Sequence, residues 1–117
     1  MDAASLLQMP ARNVREVATP KRGGSVWVRE LLGYEALRLR DSIVAVTDTA
    51  SVDGQARVLA VQLAAFLCDE SGATLCDVDQ ALTVVAAWYP PDILAVIKAG
   101  LDLNRTDEAG VEAAEKN

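Results

Sequence analysis

Four acidic residues in the middle of the chain are its most concentrated group of possible metal ligands. They are Asp69, Glu70, Asp77 and Asp79. Carboxylates at such close spacing can bind Ca²⁺, but a calcium loop that starts at Asp69 needs glycine at its sixth position and glutamate at its twelfth. The sequence has Thr74 and Gln80 at those positions. We therefore interpret the acids as a solvated turn and predict no metal site.

The two cysteines, Cys68 and Cys76, are the only other candidates for chemistry in this region. The chain has no histidine, so two thiols cannot complete a zinc site, and neither a Ser-His-Asp nor a Cys-His arrangement can form. A disulfide across the turn is the alternative, which a reducing cytosol disfavours. We interpret both cysteines as small buried hydrophobic residues. Because a phosphate-binding glycine loop is also missing, the sequence predicts neither an enzyme nor a cofactor.

The composition indicates one helical domain with an acidic body. Of 117 residues, 51% are hydrophobic but only 4% are aromatic, and such an aliphatic core favours helices over a β-sandwich. Residues 1–40 hold seven Lys/Arg against four Asp/Glu, whereas residues 41–117 hold four against thirteen. An acidic body repels phosphates, so nucleic acid is not expected as a partner.

No targeting signal is visible in the sequence. The first residues lack the basic and long apolar regions of a signal peptide. No apolar run approaches the roughly 20 residues that cross a bilayer. We therefore predict a soluble, cytosolic protein with no membrane contact.

The predicted fold is α+β and mostly α, with a small N-terminal β-hairpin followed by a bundle of about four to five helices. Residues 1–12 are predicted to be a flexible lead, and residues 13–117 to be a single domain. Within that domain, the hairpin covers 13–31, its strands separated by a Pro-Lys-Arg-Gly-Gly turn. The helical body covers 32–117, and its C-terminal end, a short helix over 106–115, is expected to fray.

The central helix is the most apolar part of this body. Between Val58 and Leu67 only Gln62 is polar, so the helix should be buried on several sides. Asp53 is expected to cap its start. The preceding helix is predicted over Leu32–Arg40. Its predicted inward residues are Leu32, Ala36, Leu37 and Leu39, and its outward residues are Glu35, Arg38 and Arg40. The segment between them, residues 41–54, is compatible with either continued helix or strand before a loop.

Two further helices follow the turn at residues 69–72. Asp77 is predicted to cap a helix over Val78–Trp88, and Tyr89-Pro90-Pro91 ends it because proline has no amide donor. The next helix is predicted over Asp92–Asn104. Its Gly100 should weaken it by about 1 kcal/mol relative to alanine.

The helices of this body have more apolar surface than the helices of a small bundle need to bury against one another. Either the helices seal one another in a core, with or without homodimerisation, or they leave an apolar surface that a partner covers. An amphipathic helix bound in a groove would use such a surface.

Several segments resemble the small tail assembly chaperones encoded by long-tailed siphophages and their prophages. The similar segments are Gly23-Gly24-Ser25-Val26-Trp27-Val28-Arg29-Glu30-Leu31, Ala56-Arg57-Val58-Leu59-Ala60-Val61-Gln62-Leu63, Leu67-Cys68-Asp69-Glu70-Ser71-Gly72, Leu103-Asn104 and Glu115-Lys116-Asn117. The sequence departs from the family's pattern at Cys76 and at Tyr89-Pro90-Pro91.

The resemblance implies a non-enzymatic protein in the cytoplasm of the bacterial host. It would coat the tape-measure protein, keep it soluble and help recruit the tail-tube protein. The residues expected to line the partner surface are Val58, Gln62, Phe66, Trp88 and Tyr89, for each of which core packing is the alternative. Other readings are a structural tail or connector (tail-completion) protein and an unrelated helical adaptor module.

Overall fold

The computed structural model describes residues 2–8 and 11–105. A three-stranded sheet and five helices follow one another along these residues, which confirms the α+β, mostly α fold class. The elements are α1 (Ala3–Leu7), β1 (Val14–Ala18), β2 (Ser25–Arg29), α2 (Gly33–Val44), α3 (Val52–Phe66), β3 (Leu67–Cys68), α4 (Val78–Ala87) and α5 (Pro90–Leu103). None of these helices is long and apolar enough to span a membrane.

The N-terminal hairpin forms as predicted. Strands β1 and β2 pair antiparallel with Val14 opposite Arg29 and Ala18 opposite Ser25. The connection turns through Gly23 and Gly24, whose φ angles of +87° and +79° lie in the region that side chains with a Cβ rarely adopt.

The third strand was not predicted. Leu67 and Cys68 leave the end of α3 and pair antiparallel with Val28 and Trp27 of β2. The sequence favoured helix up to Leu67, and that prediction is wrong. A two-residue strand carries no periodic signal of its own, so only the neighbouring β2 selects it.

The core lies between the sheet and the helices α3, α4 and α5. Its fully buried side chains include Val28 from the sheet, Leu63 and Phe66 from α3, and Val96 from α5. Helix α3 is therefore buried on several sides, as its composition predicts.

Local signals set the boundaries of α4 well. The Asp77 carboxylate accepts a hydrogen bond from the Gln80 amide at 2.8 Å, and the Gln80 side chain accepts one from the Asp77 amide at 2.9 Å. This reciprocal pair is a capping box. Tyr89 then caps α5, which begins at Pro90.

Local hydrogen bonds set two helix starts near the beginning and the middle of the chain. Within the lead, Ala3–Leu7 is a short helix, because the Asp2 carboxylate accepts a hydrogen bond from the Ser5 amide. The predicted cap of α3 is wrong: the cap is Ser51, whose hydroxyl accepts from the Gly54 amide at 2.9 Å, and Asp53 lies inside the first turn. Helix α2 continues to Val44, which is the continued-helix alternative for residues 41–54. The predicted helix over 106–115 lies outside the described residues.

The orientation of α2 also differs from the prediction. Ala36 and Leu37 were expected to point inward, but both are exposed, Leu37 at 53%. The partly buried positions of the helix are Glu35, Leu39 and Ile43. These lie at helical spacing, so α2 is rotated relative to the predicted face.

A buried carboxylate joins the hairpin to α5. Both Asp92 oxygens accept backbone hydrogen bonds across the structure, one from the Lys21 amide at 3.2 Å and one from the Arg22 amide at 2.7 Å. The Asp92 side chain is fully buried. Charged acceptors make the stronger class of hydrogen bond, so this contact fixes the turn of the hairpin on the bundle.

We expect Asp92→Asn to lower the free energy of unfolding by about 1.5 kcal/mol, because one of the two amides then faces an amide donor. Urea unfolding monitored by circular dichroism measures this loss. The control is Asp79→Asn, which removes an exposed acid from the first turn of α4 and should change stability by less than about 0.5 kcal/mol. Equal effects of the two variants would mean that the helix dipole, and not the hairpin contact, accounts for the contribution of Asp92.

Candidate functional site

An open groove separates α2 from α3, and the start of α4 lies at its base. The groove consists of two adjoining depressions of about 340 and 550 Å³ that share Ser42, Val61 and Val78. Leu39 and Ala64 complete the apolar lining of the smaller one. We call the whole feature the α2–α3 groove. It is far larger than the roughly 30 Å³ that one water molecule occupies, so the side chains of α2 and α3 leave an open space between the two helices.

Charged residues lie at both ends of the α2–α3 groove. Arg29, Glu35 and Arg38 line the end near the sheet. Asp48, Asp53 and Arg57 line the end near the loop after α2. Both signs occur at each end, so the groove presents an apolar middle between mixed polar ends.

Glu35 joins α2 to the sheet at the first of these ends. Its carboxylate lies 2.8 Å from an Arg12 guanidinium nitrogen and 3.2 Å from one of Arg29. It also accepts a hydrogen bond from the Leu32 amide at 2.8 Å, which caps α2. Arg29 in turn donates from Nε to the Ala65 carbonyl at 2.8 Å. We call Arg12, Arg29 and Glu35 the Glu35 cluster.

The surroundings of Glu35 hold its pKa below the ordinary value. Desolvation, the largest single influence, acts to raise the pKa, but the Leu32 amide, the Arg12 hydrogen bond and the charges of Arg29 and Arg12 together outweigh it. The carboxylate is therefore ionised at neutral pH, and the ion pairs of the cluster are present under physiological conditions.

The outer side of α2 exposes large apolar residues. Tyr34, Leu37 and Val44 are more than half exposed, and their spacing of three and seven residues places them along one stripe of the helix. The Arg38 guanidinium lies 5.6 Å from the centre of the Tyr34 ring. A second exposed pair, Leu94 and Leu101, lies on α5. The sequence analysis did not predict the α2 stripe. The available signal was that apolar residues occur on two faces of this helix, of which only one can face the core.

The five residues predicted to bind a partner lie in three different environments. Tyr89 is 66% exposed at the corner between α4 and α5, next to the half-buried Trp88. Val58 and Gln62 are half-buried on α3. Phe66 is 1% exposed and belongs to the core, so its side chain is not on the surface. Partner binding by these residues stays a prediction.

The α4–α5 corner also contacts the hairpin turn. The Arg22 guanidinium lies 4.9 Å from the centre of the Trp88 ring, within the range of a cation–π interaction. Trp88 is therefore partly covered from the hairpin side, whereas Tyr89 is open to solvent. Of the five predicted residues, Tyr89 is the one most accessible to another protein.

Both cysteines are free. Cys68 is buried in β3, and Cys76 is half-buried ahead of α4. Desolvation raises the pKa of each thiol, so both are protonated at neutral pH and are poor nucleophiles. Their roles are those of small apolar side chains, as the sequence predicts.

The acidic turn after β3 stabilises itself through hydrogen bonds. The Asp69 carboxylate accepts from the Ser71 hydroxyl at 2.6 Å, the Ser71 amide at 2.8 Å and the Ala73 amide at 3.1 Å. These donors lower the Asp69 pKa. Among the residues that the structure describes, no three acidic, histidine or cysteine side chains are grouped so that they could hold a metal ion.

Comparisons with known proteins bear on the fold. No protein-family description and no curated protein matches this chain. Among solved structures, the chain is similar to the tail assembly chaperone of bacteriophage HK97, with a TM-score of 0.58 and 23% sequence identity. The match covers 89% of this chain and 93% of that one. The chain therefore has a fold like that of this chaperone, which confirms the structural part of the resemblance.

Proposed function

We propose that this protein is a tail assembly chaperone of a long-tailed phage or prophage and that it acts by binding other proteins. The observation that supports this most is the similarity to the HK97 tail assembly chaperone, which extends over nearly the full length of both chains. A match of this extent goes well beyond one shared motif.

The client in this proposal is the tape-measure protein, and the tail-tube protein is the second partner. A long helical protein with apolar stripes needs a cover before it is packed into a tail tube. The α2–α3 groove and the exposed Tyr34, Leu37 and Tyr89 offer apolar surface for such a cover. The net charge of −6 would keep a coated client dispersed in the host cytoplasm.

Binding without catalysis agrees with the side chains that are present. The chain has no histidine, and the raised pKa values of Cys68 and Cys76 leave no thiolate at neutral pH. The remaining polar clusters, around Glu35, Asp69 and Asp92, are occupied by structural hydrogen bonds.

Co-expression with the tape-measure protein of the same phage or prophage tests this function. We expect the tape-measure protein to be insoluble alone, to become soluble with this chain and to co-purify with it. The matched control is a tail-completion protein from the same genome, which should not keep the tape-measure protein soluble. Failure of solubilisation and co-purification would contradict the proposal. Mass spectrometry of purified virions distinguishes a chaperone from a structural tail or connector protein. The structural protein would remain in the particle, and the chaperone would not.

The partner surface is tested separately with Tyr89→Ala. Loss of a central exposed aromatic contact should weaken capture of the tape-measure protein roughly tenfold, the scale of an interface hot spot. The control is Leu7→Ala, which removes another large, mostly exposed apolar side chain, this one from α1, and should leave capture unchanged. Equal capture by both variants would contradict a partner contact at Tyr89 but not the function. Light scattering of the free protein shows whether a second copy of the chain, and not a client, occupies the same surface.

A further inference from the structure

The α2–α3 groove follows the length of two helices. The start of α2 and the end of α3 line the end of the groove near the sheet, and the end of α2 and the start of α3 line the other end. Asp53 and Ala65 of α3 both line it, so at 1.5 Å per residue the groove extends over about 18 Å. This is the length of roughly three turns of a second helix.

The middle of the groove is apolar, and the protein does not seal it. Leu39 of α2, Ala64 of α3 and Val78 of α4 line it and are half-buried, and Val61 lies deeper at 6% exposed. We call these four residues the apolar floor. Covering the floor would remove further apolar area from water, which favours association. The depressions of about 340 and 550 Å³ are of the size that receives several side chains, so one face of a partner enters and its backbone stays outside.

A helix is the form of partner backbone that suits this groove. Both walls are helices. Strand β2, which reaches the groove at Arg29, lies between β1 and β3 in the sheet, so it offers no free edge to an extended peptide. An extended peptide would therefore cover the floor with its own N–H and C=O groups unpaired, whereas a helix bonds its backbone internally. Recognition of a helix in a groove uses apolar residues three and four positions apart.

The end of the groove near the sheet is positively charged. Arg29, Glu35 and Arg38 line it, and Arg12 contacts the Glu35 carboxylate at 2.8 Å. Three guanidinium groups therefore stand against one carboxylate, a local net charge of +2 in a chain whose total is −6. Arg38 is exposed, so its charge is available to a partner. This end favours an acidic side chain.

The end of the groove near the loop after α2 has the opposite sign. Asp48, Asp53 and Arg57 line it and are all exposed. Two carboxylates against one guanidinium group give a local net charge of −1. This end favours a basic side chain, so the groove distinguishes the two ends of a partner by charge.

We propose that the α2–α3 groove binds an amphipathic helix of about 12 residues, with an acidic residue at the end near the sheet and a basic residue at the end near the loop. The apolar face of this helix packs on the apolar floor. Its acid lies beside Arg38 and the Glu35 cluster, and its base lies beside Asp48 and Asp53. That the helix belongs to the client rests on the proposed function, whereas the shape and the charges of the groove do not.

Three labelled helical peptides test the groove on the full-length protein by fluorescence anisotropy. They share one Leu/Ala face and carry glutamate at one end and lysine at the other, glutamate at both ends, or lysine at both ends. The acid–base peptide should bind saturably and roughly fivefold more tightly than the other two, the scale of exchanging a surface ion pair for a repulsion. High salt should reduce this difference. If none of the peptides binds, or if all three bind equally, the proposal is wrong.

Arg38→Glu tests the charge at the sheet end. It should weaken binding of the acid–base peptide roughly fivefold and make the peptide with two lysines the tightest binder. The matched control is Arg40→Glu, the same change at an exposed residue of α2 that does not line the groove. It should leave the order of the three peptides unchanged. Equal effects of the two variants would mean that only the total charge of the protein matters, and would overturn docking in the groove.

Ser42→Trp tests the location, because Ser42 lines both depressions and is exposed. The indole should fill the groove and weaken peptide binding at least roughly tenfold, with unchanged circular dichroism. Thr83→Trp, at an exposed position of α4 away from the groove, should have no effect. Peptide binding that survives Ser42→Trp would contradict the groove as the site.

Co-expression of the same two variants with the tape-measure protein separates this proposal from the proposed function. We expect Ser42→Trp to capture the tape-measure protein at least roughly tenfold less well than the parent protein or Thr83→Trp. If the parent protein and Ser42→Trp capture it equally, the client does not use the groove, although the function stands. If the parent protein itself captures none, the proposed function fails, and the peptide measurements still decide whether the groove binds a helix of this chemistry.

Discussion

Replacing Gly100 with alanine should lower the free energy of unfolding by about 2 kcal/mol, although alanine is the better helix former by about 1 kcal/mol. A Cβ at this position would overlap Cγ and Cδ2 of the Phe66 ring. The Phe66 ring is 1% exposed and cannot move aside without displacing its neighbours in the core. Because a loss of 1 kcal/mol lowers the melting temperature of a domain of this size by about 4 °C, thermal unfolding should show a fall of roughly 8 °C.

Gly33→Ala is the matched control for Gly100→Ala. Gly33 is also helical, at the start of α2, and a Cβ there would meet nothing within 4 Å. This variant should be neutral or slightly more stable. Combining Gly100→Ala with Phe66→Leu should recover part of the loss, since the two residues share one contact. A Gly100→Ala protein as stable as the parent would show that the α3–α5 contact is looser than its geometry indicates.

Replacing Gly54 with alanine should be at least as damaging, at about 3 kcal/mol. The new Cβ would overlap the Asp48 carbonyl oxygen. This neighbour is backbone, so the loop after α2 has to move as a unit. The movement also disturbs Ser51, which bonds to the Asp48 carbonyl and caps α3. Urea unfolding measures the effect.

Gln55→Ala controls for Gly54→Ala because it lies one residue further along α3 and is exposed. It should change stability by less than about 0.5 kcal/mol. If Gly54→Ala behaves like this control, the loop after α2 adjusts at little cost and is not held against Gly54.

The sequence determined the elements whose signals are local. The capping box of Asp77 and Gln80, the Tyr-Pro-Pro boundary and the paired glycines of the hairpin each act within a few residues. The cap and the hairpin formed as predicted, and the boundary lies where it was predicted, although α5 already begins at Pro90 and not at Asp92. The fold class followed from the same signals, since a hairpin and several aliphatic helices were visible in one short chain.

The tertiary structure decided whatever depended on a distant partner. Asp53 and Ser51 are both good caps, and the position of the Asp48 loop selected Ser51. Leu67 and Cys68 became a strand only because β2 lies beside them. Leu37 points outward because Glu35 is held by Arg12 and Arg29 from the other side of the helix.

Gly100 and Phe66 show the same division most clearly. In sequence, Gly100 weakens a helix and Phe66 could have been a partner contact. In the structure the two residues touch, thirty-four positions apart, so the glycine makes room for the ring and the ring belongs to the core. Helical spacing records which residues share a face, but it carries no information on which other helix meets that face. The α2–α3 groove and the exposed apolar stripe of α2 were therefore decided only by the packing of the helices against one another.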